Sequence, residues 1–305
     1  MRAVDNDDVE HWRRHGYVIV ENFLEKDELE AAQENVERYM PTWAEYVRDA
    51  PRYRQMLGNS NMLATPQGWV MNAFPYLGDG LNHVVLHPYL IAFVEALLGH
   101  DRLALSHAGL MGKYAGRGDY EQQLHVDYGN NTLVFPGSDM TFCDIPAIVY
   151  YTEVNEESGP TYVVSQEITR DHVVGPRHRP RERYQEWYDA EVPVVCPAGS
   201  VFIYSMRTFH RGSAMRQREG LRWTQHVAYH TDGPRWLGSA TFQRAGGSAE
   251  MDDFLVRATP RERELVGFPA PGHPYWDDET IRGVQERYPL MDMTPYRAAA
   301  SGSKL

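Results

Sequence analysis

Cysteine and long apolar runs are scarce in this sequence. The two cysteines among the 305 residues, Cys143 and Cys196, lie far apart, and no CxxC pair occurs. This excludes a disulfide framework and a thiolate zinc site, and it favours a reducing compartment. No run of apolar residues approaches the length of about 18 that a membrane span needs. The N-terminus also lacks the apolar stretch of a signal peptide, so we expect no membrane partner.

Basic residues are outnumbered by acidic ones. The chain has 30 Lys and Arg against 42 Asp and Glu, a net charge of −12, and this acidity disfavours nucleic acid and anionic membranes as partners. Only three of the 30 basic residues are lysines: Lys26, Lys113 and Lys304. This bias is typical of GC-rich bacterial genomes and predicts a cytoplasmic protein. The C-terminal Ser303-Lys304-Leu305 would be a peroxisomal signal only in a eukaryote.

Helical patterns flank a central region of short β-like runs. Helices are predicted at 5–15, 26–40 and 87–99, and a strand at 17–23. The stretch 42–82 is irregular, with several Gly and Pro residues. From about 102 to 232, apolar and β-branched runs alternate with Gly, Pro, Asn and Asp, a spacing typical of a jelly roll.

The helical pattern returns from about residue 250. Thr259-Pro260-Arg261-Glu262 forms a capping box, and Asp277 to Glu279 open a last predicted helix that ends near Pro289. We therefore predict a mainly β fold with flanking helices, a double-stranded β-helix (jelly roll, cupin-like). A single domain is predicted over 1–305, with a helical N-terminal part (1–101), a β core (about 102–232) and a helical C-terminal extension (about 250–305).

The best local signal for chemistry is His125-Val126-Asp127. Residues i and i+2 of a strand point to the same face, so one imidazole and one carboxylate would project together. A second histidine from a distant strand would complete a two-histidine, one-carboxylate triad, which suits non-haem Fe(II). With 13 histidines in the chain, roughly one such pair is expected by chance. A second copy, His230-Thr231-Asp232, runs into the Gly233-Pro234 turn, so we take it to be incidental.

The second histidine ligand is expected near the end of the β region, where the sequence offers His210, His226 and His230. His210 follows the apolar strand at 201–204, and Arg222 comes twelve residues later, at the start of the next strand. A guanidinium can hold a carboxylate through two parallel hydrogen bonds, so Arg222 is a candidate for binding a dicarboxylate.

These motifs resemble those of the phytanoyl-CoA dioxygenase-like family of iron(II)/2-oxoglutarate oxygenases. The resemblance covers roughly residues 8–232. It rests on the segments HGYVIVENF, HPYLIAFVEALLG, QQLHVDY, NEESGPTYVVSQE and CPAGSVFIYSMRTFHRGS…GLRW. Two features depart from the family pattern: Val164-Ser165-Gln166-Glu167 replaces the usual Pro-Gly-Ser-His, and the tail from 240 lies outside the resemblance.

The resemblance implies a set of site residues. His125, Asp127 and His210 correspond to the catalytic iron ligands, and Arg222 to the partner of the far carboxylate of 2-oxoglutarate. The family usually has His-x-Ser and an arginine 11 residues after the histidine; both offsets are one longer here, so one inserted residue near Arg211 is expected. Ser213 is then a candidate second contact to 2-oxoglutarate.

The resemblance also implies the reaction. Fe(II), 2-oxoglutarate and O2 would oxidise a small or lipid-like substrate, with release of succinate and CO2. Because Asp127 is present, hydroxylation or another oxidation is favoured over halogenation. Two alternatives stay open: a metal-dependent cupin-type enzyme that does not use 2-oxoglutarate, and a non-catalytic jelly-roll binding protein. No feature of the sequence specifies the substrate or an oligomeric state.

Strand alternation adds two expectations. If Arg222 points inward, His226 does too, and it would lie inside the barrel near the cosubstrate. Lys113 lies on an early strand; it is either a ligand contact or, as its residue type favours, simply exposed.

Overall fold

Two antiparallel β-sheets form the centre of the molecule. The computed structural model describes residues 3–49, 62–65, 68–72, 74–116, 120–127, 144–172, 178–231, 249–276, 278, 281, 284–285 and 288–302. The strands are β1 (Tyr17–Val20), β2 (Met62–Thr65), β3 (Gly68–Asn72), β4 (Leu103–Tyr114), β5 (Leu124–His125), β6 (Asp144–Tyr150), β7 (Thr161–Val163), β8 (His178–Arg179), β9 (Val192–Pro193), β10 (Ser200–Tyr204), β11 (His210–Gly212) and β12 (Leu221–Thr231).

The strand order is that of a jelly roll. The larger sheet runs β1-β10-β6-β12-β4-β3-β2, and the smaller runs β8-β5-β11-β7-β9. Strands distant in sequence therefore become neighbours: β12 pairs with both β4 and β6, and β11 pairs with β5 and β7. The predicted fold class, a mainly β jelly roll with flanking helices, is confirmed.

Helices precede, interrupt and follow the strands. They are α1 (Asn6–His15), α2 (Lys26–Val36), α3 (Trp43–Arg48), α4 (Gly80–Val85), α5 (Pro88–Leu98), α6 (Gln166–Thr169), a 3-10 turn (Arg181–Arg183), α7 (Gln185–Asp189), α8 (Ala249–Arg257), α9 (Pro260–Leu265) and α10 (Thr294–Gly302).

The capping signals in the sequence set several of these boundaries. Gly16 ends α1 in the left-handed conformation, at φ 76°. The capping box predicted at Thr259 is present at the start of α9. A second capping box, from Thr42 to Glu45, begins α3 inside the stretch that the sequence left irregular. The helix predicted to start at Asp277 falls largely outside the described residues.

One cluster of buried apolar side chains joins the helices to the outer face of the larger sheet. It includes Trp12 of α1, Phe93 of α5, Leu105 of β4 and Tyr229 of β12. Phe254 of α8 belongs to the same cluster, so the C-terminal extension packs on the core. That the chain is one domain stays a prediction. The Ser303-Lys304-Leu305 tail lies outside the described residues, and the predicted cytoplasmic location likewise stays a prediction.

The segment Gly80–Leu98 is long and apolar enough to cross a membrane by length and composition alone, and 61% of it is buried within the protein. It contains two helices, because α4 ends at Val85 and His87 caps the start of α5. Burial against the core accounts for its apolar character, since core helices pass the same test. The absence of a membrane partner stays a prediction.

Candidate metal centre

His125, Asp127 and His210 converge at one point between the sheets. His125 on β5 and His210 on β11 are direct cross-strand partners, and their ring centroids lie 4.6 Å apart. Asp127 follows two residues after His125, so its carboxylate reaches the same place. One ligand atom from each residue lies within 4.8 Å of the other two. The register of two short strands thus brings together residues separated by 85 positions in the sequence.

Backbone carbonyls fix the orientation of both imidazoles. Nδ1 of His125 lies 2.9 Å from the carbonyl oxygen of Gln123, and Nδ1 of His210 lies 3.0 Å from that of Thr208. A carbonyl oxygen only accepts, so each Nδ1 carries the hydrogen. In the neutral rings Nε2 therefore carries the lone pair, which is the protonation state that metal-binding histidines require.

The Nε2 atoms of both rings point at the carboxylate of Asp127. Nε2 of His125 lies 3.6 Å from Oδ1, and Nε2 of His210 lies 3.4 Å from Oδ2. The hydroxyl of Tyr204 donates to Oδ2 at 2.8 Å. Burial alone would raise the pKa of Asp127, but His210 and His125, when protonated, and the Tyr204 hydroxyl hold it well below its usual range.

This donor set fits a divalent metal ion. Two imidazole lone pairs and one carboxylate face one another, and a cation bound between them would coordinate all three. Two histidines and one carboxylate leave further coordination positions open, which is the arrangement typical of non-haem Fe(II) sites.

A cavity of about 160 Å³ opens beside the three residues. It is smaller than the roughly 300–1,000 Å³ typical of sites for drug-sized ligands, so the described part suits a small organic acid. Its lining comes from both sheets and comprises Met111, Lys113, Gln122, His125, Asp127, Ile148, Thr161, Tyr204, His210, Gly212, Arg222 and His226.

Arg222 points into this cavity, as predicted. Its side chain is buried, and one Nη1–H donates to the carbonyl oxygen of Gly159. Its Nε, which is also buried, has no hydrogen-bond partner among the residues that the structure describes. Burial lowers the pKa of Arg222, yet a guanidinium stays charged at neutral pH. A buried cation with an unused donor is suited to bind an anion.

Ser213 is placed differently from the other predicted residues. Strand β11 stays in register with β7 from His210 to Gly212, so no extra residue is inserted within it. Gly212 therefore lines the cavity, whereas the hydroxyl of the next residue, Ser213, donates to the carbonyl oxygen of Pro160 at 2.7 Å. Contact of Ser213 with 2-oxoglutarate stays a prediction, and it would require this hydroxyl to leave Pro160.

Other cavity residues were foreseen only in part. His226 lies inside the barrel, as strand alternation predicts, and burial with the nearby His107 and Arg222 lowers its pKa to about 3. Lys113 was expected to be exposed, but this was wrong: only 2% of it is exposed, because its strand faces inward at that position. Tyr204 was missed; its alternation with the buried Phe202 on β10 would have indicated it.

A second group of potential metal ligands lies on the helical side, formed by Glu28, His83 and His87. Here the backbone N–H of Tyr89 donates to Nδ1 of His87, so the neutral ring carries its hydrogen on Nε2. That Nε2 lies 3.3 Å from Oε1 of Glu28, so its hydrogen points to the carboxylate and the nitrogen has no lone pair to offer a metal. The geometry is that of a hydrogen-bonded contact between helices, not of a metal site.

Directly after His210, Arg211 points away from the cavity and anchors β11. Its guanidinium donates twice to Glu191, with Nε–Oε2 at 2.7 Å and Nη2–Oε1 at 2.5 Å, and stacks over the ring of Tyr162. Both charged side chains are almost fully buried, at 5% and 6% exposure. This pair fixes the strand that carries His210.

Removing one partner of this pair is expected to destabilise the fold. Glu191→Ala would leave the buried guanidinium with Glu121 as its remaining carboxylate partner in the described part of the chain, at a cost of about 3 kcal/mol. For a chain of this size that corresponds to a fall in Tm of roughly 5–10 °C in a thermal melt. Glu10→Ala removes the exposed Arg13 pair and serves as the control, with no expected change. An unchanged Tm for Glu191→Ala would show that Arg211 does not anchor the strand.

The fold and the cluster together define a class of protein. A jelly roll with two histidines and one carboxylate facing a cavity is the arrangement of the non-haem Fe(II) oxygenases. The chain belongs to the phytanoyl-CoA dioxygenase (PhyH) family, whose model matches residues 12–218. The predicted family is thereby confirmed, and with it the enzyme class, an Fe(II)- and 2-oxoglutarate-dependent oxygenase. Arg222 lies just beyond the matched range, so its assignment depends on its geometry.

Solved structures share this fold at low sequence identity. The carbocyclase SnoK from nogalamycin biosynthesis is 18% identical, with a TM-score of 0.59 over 79% of this chain and 90% of its own. The epimerase SnoN, in complex with Fe3+, α-ketoglutarate and nogalamycin RO, is 20% identical, with a TM-score of 0.52 over 74% and 83%. HygX from Streptomyces hygroscopicus, with nickel and 2-oxoglutarate bound, is 15% identical, with a TM-score of 0.53 over 75% and 88%. None of the curated proteins matches the sequence of this chain.

Proposed function

We propose that this chain is an Fe(II)- and 2-oxoglutarate-dependent hydroxylase of a small or lipid-like organic molecule. The observation that carries the proposal is one cavity lined both by the His125, Asp127 and His210 cluster and by the buried Arg222. A metal site alone would not need a buried cation with an unused donor in the same cavity. A dicarboxylate cosubstrate needs both, since one of its ends binds the metal and the other requires a counter-charge.

Each residue has a defined task in this proposal. His125, Asp127 and His210 would hold the iron, with the imidazole tautomers set by the carbonyls of Gln123 and Thr208. The Tyr204 hydroxyl orients the carboxylate of Asp127. When bound, Fe(II) supplies the activation of O2 that couples decarboxylation of 2-oxoglutarate to oxidation of the substrate. Overall, one oxygen atom enters succinate and the other enters the substrate as a hydroxyl group, with release of CO2.

The proposed substrate class is supported by the residues that line the cavity and by the ligands of similar structures. The cavity contains both apolar side chains, such as Met111 and Ile148, and the neutral imidazole of His226. Among the structural neighbours, SnoN is described with nogalamycin RO and HygX with hygromycin B. For this chain we likewise propose a small organic molecule as partner, with no nucleic acid or membrane involved.

An anaerobic titration tests the cosubstrate assignment. Addition of Fe(II) and 2-oxoglutarate to the protein is expected to produce the weak visible charge-transfer band of a 2-oxo acid chelated to iron. Iron binding without this band would favour a cupin-type enzyme that does not use 2-oxoglutarate. Absence of iron binding would favour a non-catalytic jelly-roll protein.

Hydroxylation needs a separate test. A substrate is first identified as a compound that stimulates the release of succinate. Turnover under 18O2 is expected to add one labelled oxygen atom to the product, measured by mass spectrometry. A product that has lost hydrogen without gaining oxygen would contradict hydroxylation and leave the oxygenase class intact.

A further inference from the structure

Two buried basic side chains lie side by side on adjacent strands. Lys113 on β4 and Arg222 on β12 are direct cross-strand partners, so their side chains share the inward face of the larger sheet. Lys113 is 2% exposed and Arg222 is 5% exposed, and both line the cavity that contains the metal cluster. A lysine is rarely buried to this extent unless it has a partner.

The two cationic groups reach the same small patch of backbone. Nζ of Lys113 donates to the carbonyl oxygen of Ser213 at 2.6 Å, and Nη1 of Arg222 donates to that of Gly159. These backbone segments are in contact: a Cβ on Gly159 would lie 3.0 Å from the Ser213 oxygen. Gly159 also has a φ of +68°, which favours glycine there. The backbone therefore brings both cations to one place.

Neither cation has a carboxylate partner in the part of the chain that the structure describes. The acid whose charge acts on Lys113 is Glu121, which is 39% exposed and already paired with Arg211 and Arg216. Burial, and then the charge of Arg222, lower the pKa of Lys113 to about 6. At neutral pH, without an anion in the cavity, the amine is therefore mostly uncharged.

We propose that Lys113 is the second cation of the 2-oxoglutarate site, and that its amine takes up a proton when the far carboxylate of 2-oxoglutarate binds beside Arg222. This inference rests on the proposed function. An incoming carboxylate neutralises the charge of Arg222 and attracts the ammonium, so it reverses the larger of the two charge effects on Lys113. Gly212 has no side chain to occupy the space on that side of the cavity.

Other titratable groups near this site do not supply the proton change. Tyr150 on β6 acts on Arg222, but burial raises the pKa of its hydroxyl to about 12, so it stays neutral. His226, on the same strand as Arg222, is neutral above a pKa of about 3. Glu121 has a pKa held below its usual range by Arg216 and Arg211 against the effect of burial, so it stays charged.

The pH dependence follows from the direction of this change. Below about pH 6 Lys113 is already protonated, and binding requires no proton uptake from it. As the pH rises above that value, each bound 2-oxoglutarate must take up a proton. The Kd for 2-oxoglutarate is therefore expected to rise about tenfold between pH 7 and pH 8.

Lysine NMR measures the change directly, because the chain has three lysines. The protein, labelled with [ε-13C]lysine and loaded with Zn(II) as a diamagnetic replacement for iron, gives one signal from Lys113. This signal is assigned by Lys26→Arg and Lys304→Arg, which change only the other two lysines. Lys113 is expected to titrate near pH 6 without ligand and several pH units higher with saturating 2-oxoglutarate. A titration curve that 2-oxoglutarate does not shift would overturn the proposal.

Calorimetry separates this inference from the proposed function. Titrations of 2-oxoglutarate at pH 7.5, in buffers of different ionisation enthalpy, are expected to show uptake of nearly one proton. Lys113→Met should abolish the uptake and the tenfold change in Kd, whereas the exposed Lys26→Met should preserve both. Binding without proton uptake would overturn the role of Lys113 alone. No binding of 2-oxoglutarate at all would overturn the proposed function with it.

Discussion

His210→Ala is expected to abolish 2-oxoglutarate turnover and to weaken Fe(II) binding by at least about 10²-fold. The substitution removes one of three converging ligands, and its neighbours cannot replace it because β11 is fixed in register between β5 and β7. His125→Ala should have the same effect, since the two rings are cross-strand equivalents. Anaerobic titration with Fe(II), followed by succinate measurement under air, quantifies both losses.

A matched control tests whether the loss is specific to this cluster. His83→Ala removes a histidine of the second potential ligand group, which lies among the helices. It should leave both Fe(II) binding and succinate formation unchanged, because the geometry at His87 is that of a hydrogen bond. If His83→Ala lost iron binding while His210→Ala kept it, the iron would bind at the group of Glu28, His83 and His87, and our assignment would be wrong.

The three proposed ligands could be named from the sequence, but on different grounds. The i, i+2 spacing of His125 and Asp127 predicted that both side chains share one face. In the structure β5 ends at His125, and Asp127 reaches the same place from the turn that follows. His210 could be found only through the resemblance, since no local pattern shows that β11 pairs with β5. The pairing register of strands distant in sequence is decided by the packing of the whole sheet, and no short segment of the sequence predicts it.

The wrong expectation for Lys113, and the open one for Ser213, have a physical cause as well. Lys113 was assigned by the usual behaviour of lysine, whereas its position opposite Arg222 forces the side chain inward. Ser213 was placed by counting from a motif; strand parity puts Gly212 at the inward position of β11, and a contact of Ser213 with 2-oxoglutarate stays a prediction. In both cases a residue type or an offset was weighed without the partner strand, and the partner strand decides which face a side chain occupies.

Arg222→Gln is expected to raise the KM for 2-oxoglutarate by about 10²-fold and to leave kcat at saturation nearly unchanged. The guanidinium would bind the carboxylate at the end of 2-oxoglutarate that does not react, so its loss removes binding energy of about 1.5–3 kcal/mol from ground state and transition state alike. Succinate formation as a function of 2-oxoglutarate concentration measures this effect. Arg218→Gln is the control, because Arg218 is exposed on the segment that leads into β12.

A change of cosubstrate distinguishes a direct contact from a structural role for Arg222. 2-Oxovalerate lacks the far carboxylate and should therefore compete poorly with 2-oxoglutarate in the unsubstituted protein. In Arg222→Gln the preference should shrink by the same factor by which the KM for 2-oxoglutarate rises, because the two keto acids differ only in the group that the guanidinium binds. If the variant bound both acids more weakly by equal factors, Arg222 would support the barrel through Gly159 without contacting the cosubstrate. If the variant bound 2-oxoglutarate more weakly and 2-oxovalerate as before, the cavity wall would be intact. The contact with the far carboxylate would then belong to the Arg222 side chain.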